Sequence, residues 1–110
     1  MKRLTREWVR KAEADYRAAV KLRDGAEALH DAVCFHCQQA AEKYLKGLLE
    51  ELGLSVPKTH DLEDLLTLLL PYHASLRPLR RGLEFLTQFS VDIRYPGKRA
   101  SKREAEAAVR

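Results

Sequence analysis

Apolar side chains return every third or fourth residue through most of this chain, and no β-rich alternating run competes with them. That periodicity commits the backbone to helices that bury one face each, and the helices can be bounded one by one. From Thr5 to about Asp24, Trp8, Val9, Ala12, Tyr16, Ala19 and Val20 recur at helical spacing, and Gly25 ends the run. A second helix begins near Asp31 as N-cap and passes through Cys34, Cys37, Ala41, Tyr44, Leu45, Leu48 and Leu52 to Gly53. The stretch 54–58 reads as a loop, because Pro57 has no N–H to donate and pushes Val56 toward an extended backbone. Thr59 or His60 caps a third helix, where Asp61, Glu63 and Asp64 suit the positive end of the dipole and Leu65 to Leu70 supply a packing face before Pro71.

A fourth helix is expected from about Ser75 to Ile93, with Pro78 tolerated in its first turn and Leu79, Leu83, Leu86 and Phe89 facing inward. Arg94-Tyr95-Pro96-Gly97 stops it, and Ser101-Lys102-Arg103-Glu104 has the capping-box pattern that opens a short fifth helix. With 110 residues there is room for one core but not two. The expectation is therefore a single all-α domain over 1–110, a compact up-and-down bundle of four to five helices.

No uncharged apolar run approaches the roughly 20 residues that cross a bilayer, and Met1 to Glu7 contain no apolar block of the signal-peptide kind. Cys34 and Cys37 are too close together to build the long-range disulfide framework of a secreted domain. A cytoplasmic chain with no membrane contact is expected. The net charge of +4 is unevenly spread: residues 1–24 hold eight Lys/Arg and four acids, 25–70 hold three and eight, and 71–110 hold nine and four. Basic ends around an acidic middle fit either a polyanion-binding surface or complementarity between copies of the chain.

Cys34-Phe35-His36-Cys37 has a spacing that invites a redox or zinc reading, but a second ligand pair and a βαβ context are both missing. The cysteines read better as small buried hydrophobes, and no metal or cofactor is expected. On another side of the second helix His36, Gln39, Lys43, Lys46 and Glu50 follow steps of three or four and form a polar stripe. Lys43 and Lys46 suit a phosphate as mobile point charges, and Gln39 suits a base edge or a partner backbone. In the C-terminal third, Arg77, Arg80, Arg81, Arg94, Lys98, Arg99, Lys102 and Arg103 are basic, with Tyr95 beside Arg94, a pairing suited to a phosphate and a stacked base.

Taken together, Trp8 with Ala12-Glu13-Ala14-Asp15-Tyr16, Phe35-His36-Cys37-Gln38-Gln39-Ala40-Ala41-Glu42-Lys43-Tyr44-Leu45-Lys46, Thr59-His60-Asp61-Leu62 and Arg94-Tyr95-Pro96-Gly97 form a pattern. It resembles the HEPN (higher eukaryotes and prokaryotes nucleotide-binding) domain over about residues 7–97. The resemblance implies a helical bundle, usually a homodimer, often paired with a separate small nucleotidyltransferase as a substrate-binding or toxin-antitoxin component. It also implies a nucleotide or RNA ligand.

One branch of that family comprises metal-independent ribonucleases with an Arg followed four to six residues later by a His. Arg94 matches the arginine, yet residues 95–101 contain no histidine. Without that imidazole the general acid-base contribution, about 10² to 10⁴ in rate, is missing. No catalytic residue is therefore assigned, with Arg94 the candidate only under a ribonuclease reading with a nonstandard base. Ligand binding is expected from Arg94, Tyr95, Lys43, Lys46 and Gln39. A purely structural dimerisation module is the remaining alternative.

Overall fold

A computed structural model describes residues 1–90, 93 and 96–109. Two 22-residue helices, α1 (Arg3–Asp24) and α2 (His30–Glu51), run antiparallel and form the spine. Their close approach follows from small side chains: α1 buries Thr5, Ala12 and Ala19, seven residues apart, and on α2 Gly47 faces Trp8. A Cβ at Gly47 would lie 3.0 Å from the Trp8 Cβ, so only glycine lets the two backbones come this near. At the same end, the Lys2 backbone N–H and the Thr5 hydroxyl both donate to Glu51 Oε1, at 3.0 and 3.1 Å, and tie down the start of α1.

The remaining elements are α3 (Leu62–Leu69), a 3₁₀ helix (Ala74–Leu79), α4 (Arg80–Thr87) and α5 (Lys102–Val109). The three later α-helices and α1 meet through α2, which packs on α1, α3, α4 and α5. Two apolar clusters result. Leu45 and Leu49 of α2 meet Leu62, Leu65, Leu66 and Leu69 of α3 and Leu83 of α4. Toward the other end Ala19, Val33, Cys34, Cys37, Phe89 and Ile93 close against Ala105 and Val109 of α5. The fold is the all-α bundle expected from the periodicity, and no helix among the described residues is long and apolar enough to cross a membrane.

The ends of the elements differ from expectation in informative ways. Helix α2 starts at His30 with Leu29 at the cap position, and Asp31 instead turns its carboxylate to the Ala100 N–H, fastening the segment before α5. Asp61, rather than Thr59 or His60, caps α3: its side chain accepts from the Glu63 and Asp64 N–H groups, while the Thr59 hydroxyl accepts from the Asp61 N–H. An ionised carboxylate outbids a hydroxyl for two amides at a helix's positive end.

The single fourth helix is not formed. Residues 74–79 wind as a 3₁₀ helix with Pro78 inside it, none of its residues is buried, and Leu79 is 47% exposed rather than inward. The α-helix proper lasts only from Arg80 to Thr87, with Leu83 buried, Leu86 partly so, and Phe89 buried just beyond it. The capping box before α5 is as expected: the Ser101 N–H donates to Glu104 Oε1 at 3.0 Å and the Glu104 N–H donates to Ser101 Oγ at 3.1 Å. Tyr16 and Tyr44, at apolar helical positions, are each 44% exposed.

Candidate functional site

The polar residues of α2 do not form a uniformly wet stripe. They make two hydrogen-bonded clusters, each built on a carboxylate shared by an imidazole and an ammonium. The first centres on Glu42, which is 4% exposed; Lys46, one turn later, is 6% exposed and Gln38, one turn earlier, is fully buried. Lys46 Nζ donates to Glu42 Oε2 at 2.9 Å, and Gln38 Nε2 donates to Glu42 Oε1 at 3.2 Å. His60, in the turn leading to α3, reaches the same Oε1 through Nδ1 at 2.8 Å, and its backbone carbonyl accepts from Gln38 Nε2 at 3.1 Å.

Burial works to raise the Glu42 pKa, but the hydrogen bonds from His60, Lys46 and Gln38 outweigh it and hold the carboxyl below its ordinary value. The carboxylate is thus ionised and can only accept, so His60 Nδ1 is the donor of this hydrogen bond. The second cluster centres on Asp15 of α1. Its Oδ1 lies 2.8 Å from His36 Nδ1, and its Oδ2 accepts from Lys43 Nζ. His36 and Lys43 stand seven residues apart on α2, so one aspartate on the facing helix clamps two turns at once.

Gln39 lies between the clusters on the α2 surface and donates to Gln38 Oε1 at 2.8 Å. Among the expected ligand residues, the structure therefore brings Gln39, Lys43 and Lys46 into one seam. It changes the part assigned to the lysines. Lys46 is not a mobile surface charge: it is buried and Glu42 neutralises it, while Lys43 is held by Asp15. Arg94 and Tyr95 lie outside the described residues. Of the other basic residues in the C-terminal third, Arg80 approaches Glu63 at 3.6 Å, and Lys98, Arg99, Lys102 and Arg103 are exposed. Where the seam ends at Glu50, that residue joins Leu4, Glu7, Trp8, Lys11 and Val56 around an open groove of about 300 Å³.

Sequence reasoning missed Asp15 and Gln38 as partners in the seam, whereas Glu42 as a balance to the lysines and a structural His60 bonded to a neighbouring helix are readable from the sequence. The Glu42 and Lys46 pair at i,i+4 is the one signal for it, and that spacing looks the same on a wet helix as in a core. Cys34 and Cys37 are reduced and buried in the apolar cluster under α5. Burial pushes the Cys34 thiol up to about 12, with smaller contributions from Cys37, Glu104 and Asp31, and pushes Cys37 up to about 11. Both are packing groups rather than nucleophiles at neutral pH. Among the described residues, no three His, Cys, Asp or Glu side chains converge as metal ligands.

No curated protein sequence and no solved structure matches the chain. The family model of the HEPN domain does, over residues 5–110, which takes in both carboxylate clusters and every helix described above. With nearly its whole length covered, the chain belongs to the HEPN domain family.

Proposed function

We propose that the chain is a non-catalytic HEPN module, a homodimer that binds a nucleotide or polynucleotide or docks a separate nucleotidyltransferase in a toxin-antitoxin-like pair. The observation that carries this reading is the occupancy of the seam. Both lysines are already neutralised by carboxylates, whereas the Gln39 side-chain carbonyl and Nε2 of His36 and His60 have no partner among the described residues. Groups fixed from behind and unfilled in front suit recognition of a base edge or a sugar hydroxyl. Lys43 and Lys46 then hold the carboxylates that fix these groups, and Arg94 with Tyr95 supplies the phosphate contact and the stacking face.

The absence of a histidine in residues 95–101 argues against turnover by the isolated chain. Calorimetric titration with adenosine and guanosine triphosphates and a short RNA at low salt tests the ligand half. Binding weakened by Gln39→Ala and by Arg94→Ala supports it; a protein that ignores all three probes retains only partner docking.

One observation favours a ribonuclease as the second reading. His36 is oriented by Asp15 through Nδ1, the arrangement that readies an imidazole Nε2 as a general base. RNA cleavage in chelator that disappears in both His36→Ala and Arg94→Ala would establish it.

A further inference from the structure

The solvent face of α1 breaks two rules of helix construction. Arg3, Arg6, Arg10, Arg17 and Lys21 are all exposed and recur in steps of three, four, seven and four, so they share one side of the helix. Arg6 and Arg10, and Arg17 and Lys21, are like charges at i,i+4, an unfavourable spacing. At the N-terminus, where the dipole favours acids, the first turn contains none, and Lys2 at the cap position makes no side-chain cap. None of the five cations is in ion-pair contact with a carboxylate among the described residues. Glu13 and Asp24 are the acids on the same side and Glu7 borders it; Asp24 is paired with Arg23, and Asp15 is turned to His36 and Lys43.

We propose that this face of α1 is a track for the phosphodiester backbone of a single-stranded nucleic acid. The stripe is about 27 Å long at 1.5 Å per residue; its steps of three or four residues place charges about 4.5 to 6 Å apart, and the seven-residue step from Arg10 to Arg17, with Glu13 inside it, spans about 10.5 Å. Four of the five cations are arginines, whose planar fork takes two phosphate oxygens at once where a lysine takes one. Alongside Arg17, the half-exposed rings of Tyr16 and Tyr44 offer flat surfaces on which unpaired bases stack. An acidic protein would match the charge but leave the two tyrosines without a purpose, and a duplex would bury its bases away from them. This inference does not depend on the seam along α2 as a ligand site, because α1 presents the opposite side of Asp15's helix to solvent.

The test is fluorescence anisotropy of the full chain with labelled 15-nucleotide uridine and thymidine oligomers across a salt series. Arg6→Gln, Arg10→Gln and Arg17→Gln combined should weaken binding about tenfold or more at low salt. They should also flatten the slope of log affinity against log salt by about 2, since each phosphate contact on a single strand contributes about 0.7. The matching triple lysine variant keeps the slope while losing part of the affinity, which separates charge from any loss of folding. Tyr16→Ala with Tyr44→Ala should weaken both oligomers and leave binding to polyglutamate unchanged. Unaltered affinity and slope in the glutamine variant overturn the proposal, as does equal binding of polyglutamate or anionic vesicles by the wild type. Oligomer binding that responds to Gln39→Ala but not to the α1 variants assigns the ligand to the α2 seam and removes this track.

Discussion

Lys46 donates to Glu42 at 2.9 Å, one helical turn away, and both side chains are closed to solvent. Inside a bundle of this size an unpaired charge is intolerable, so the pair must be kept whole. Glu42→Ala, which strands the Lys46 ammonium and releases His60, should cost about 3 to 5 kcal/mol in urea unfolding. Replacing both partners together, Glu42→Leu with Lys46→Met, should cost far less, because it removes the desolvation penalty along with the attraction. A double variant as unstable as Glu42→Ala would show that the pair is not the cause.

The same carboxylate makes stability depend on pH. Its folded pKa is depressed below the unfolded value, so its contribution is fully present above the unfolded pKa, about 4.3, and is lost as pH falls through the folded one. The stability gap between wild type and Glu42→Gln should be complete at pH 7 and narrow steadily below about pH 4. Unfolding curves at pH 7, 5 and 3 measure it; a gap that widens on acidification has the wrong sign.

Two glycines in helices should respond oppositely to alanine. At Gly47 the new Cβ meets Trp8 at 3.0 Å, and α1 must move, at about 1 to 3 kcal/mol. At Gly82, inside α4, a Cβ meets nothing within 4 Å, so Gly82→Ala should gain about 0.4 to 1 kcal/mol from helix propensity and a less flexible unfolded chain. Melting temperatures of the two variants decide the matter.

Much of this architecture is readable before any coordinates. Helices α1 and α2 follow from apolar spacing, and α5 from the Ser101 and Glu104 capping pair, because these are local properties of the chain. The burial of Lys46 is not local. It depends on how the rest of the bundle packs onto that face of α2, and nothing in Glu42-Lys43-Tyr44-Leu45-Lys46 reports what lies above it. The role of Asp15 likewise depends on the register between α1 and α2, which Gly47 and Trp8 set. Around Pro78 leucine spacing continues through 76–86 at helical intervals, but the backbone at 74–79 takes the tighter 3₁₀ winding.

The thiols offer a measure of how firmly α5 is seated. Cys34 and Cys37 lie in the cluster that Ala105 and Val109 close, and burial raises both thiols well above their ordinary values. Native protein should react slowly with a thiol reagent at pH 8 and rapidly in denaturant, and Val109→Ala should speed the native reaction by weakening that closure. Fast labelling of wild-type protein would mean that α5 does not shield the cysteines.

Binding without turnover is what most separates a HEPN recognition module from a HEPN nuclease. End-labelled RNA incubated with pure chain in chelator, with bound fraction and strand integrity read from the same samples, addresses both at once. The expected result is salt-sensitive binding with every strand intact over hours. Strand cleavage that is lost in Arg94→Ala would contradict the reading and make the chain an enzyme.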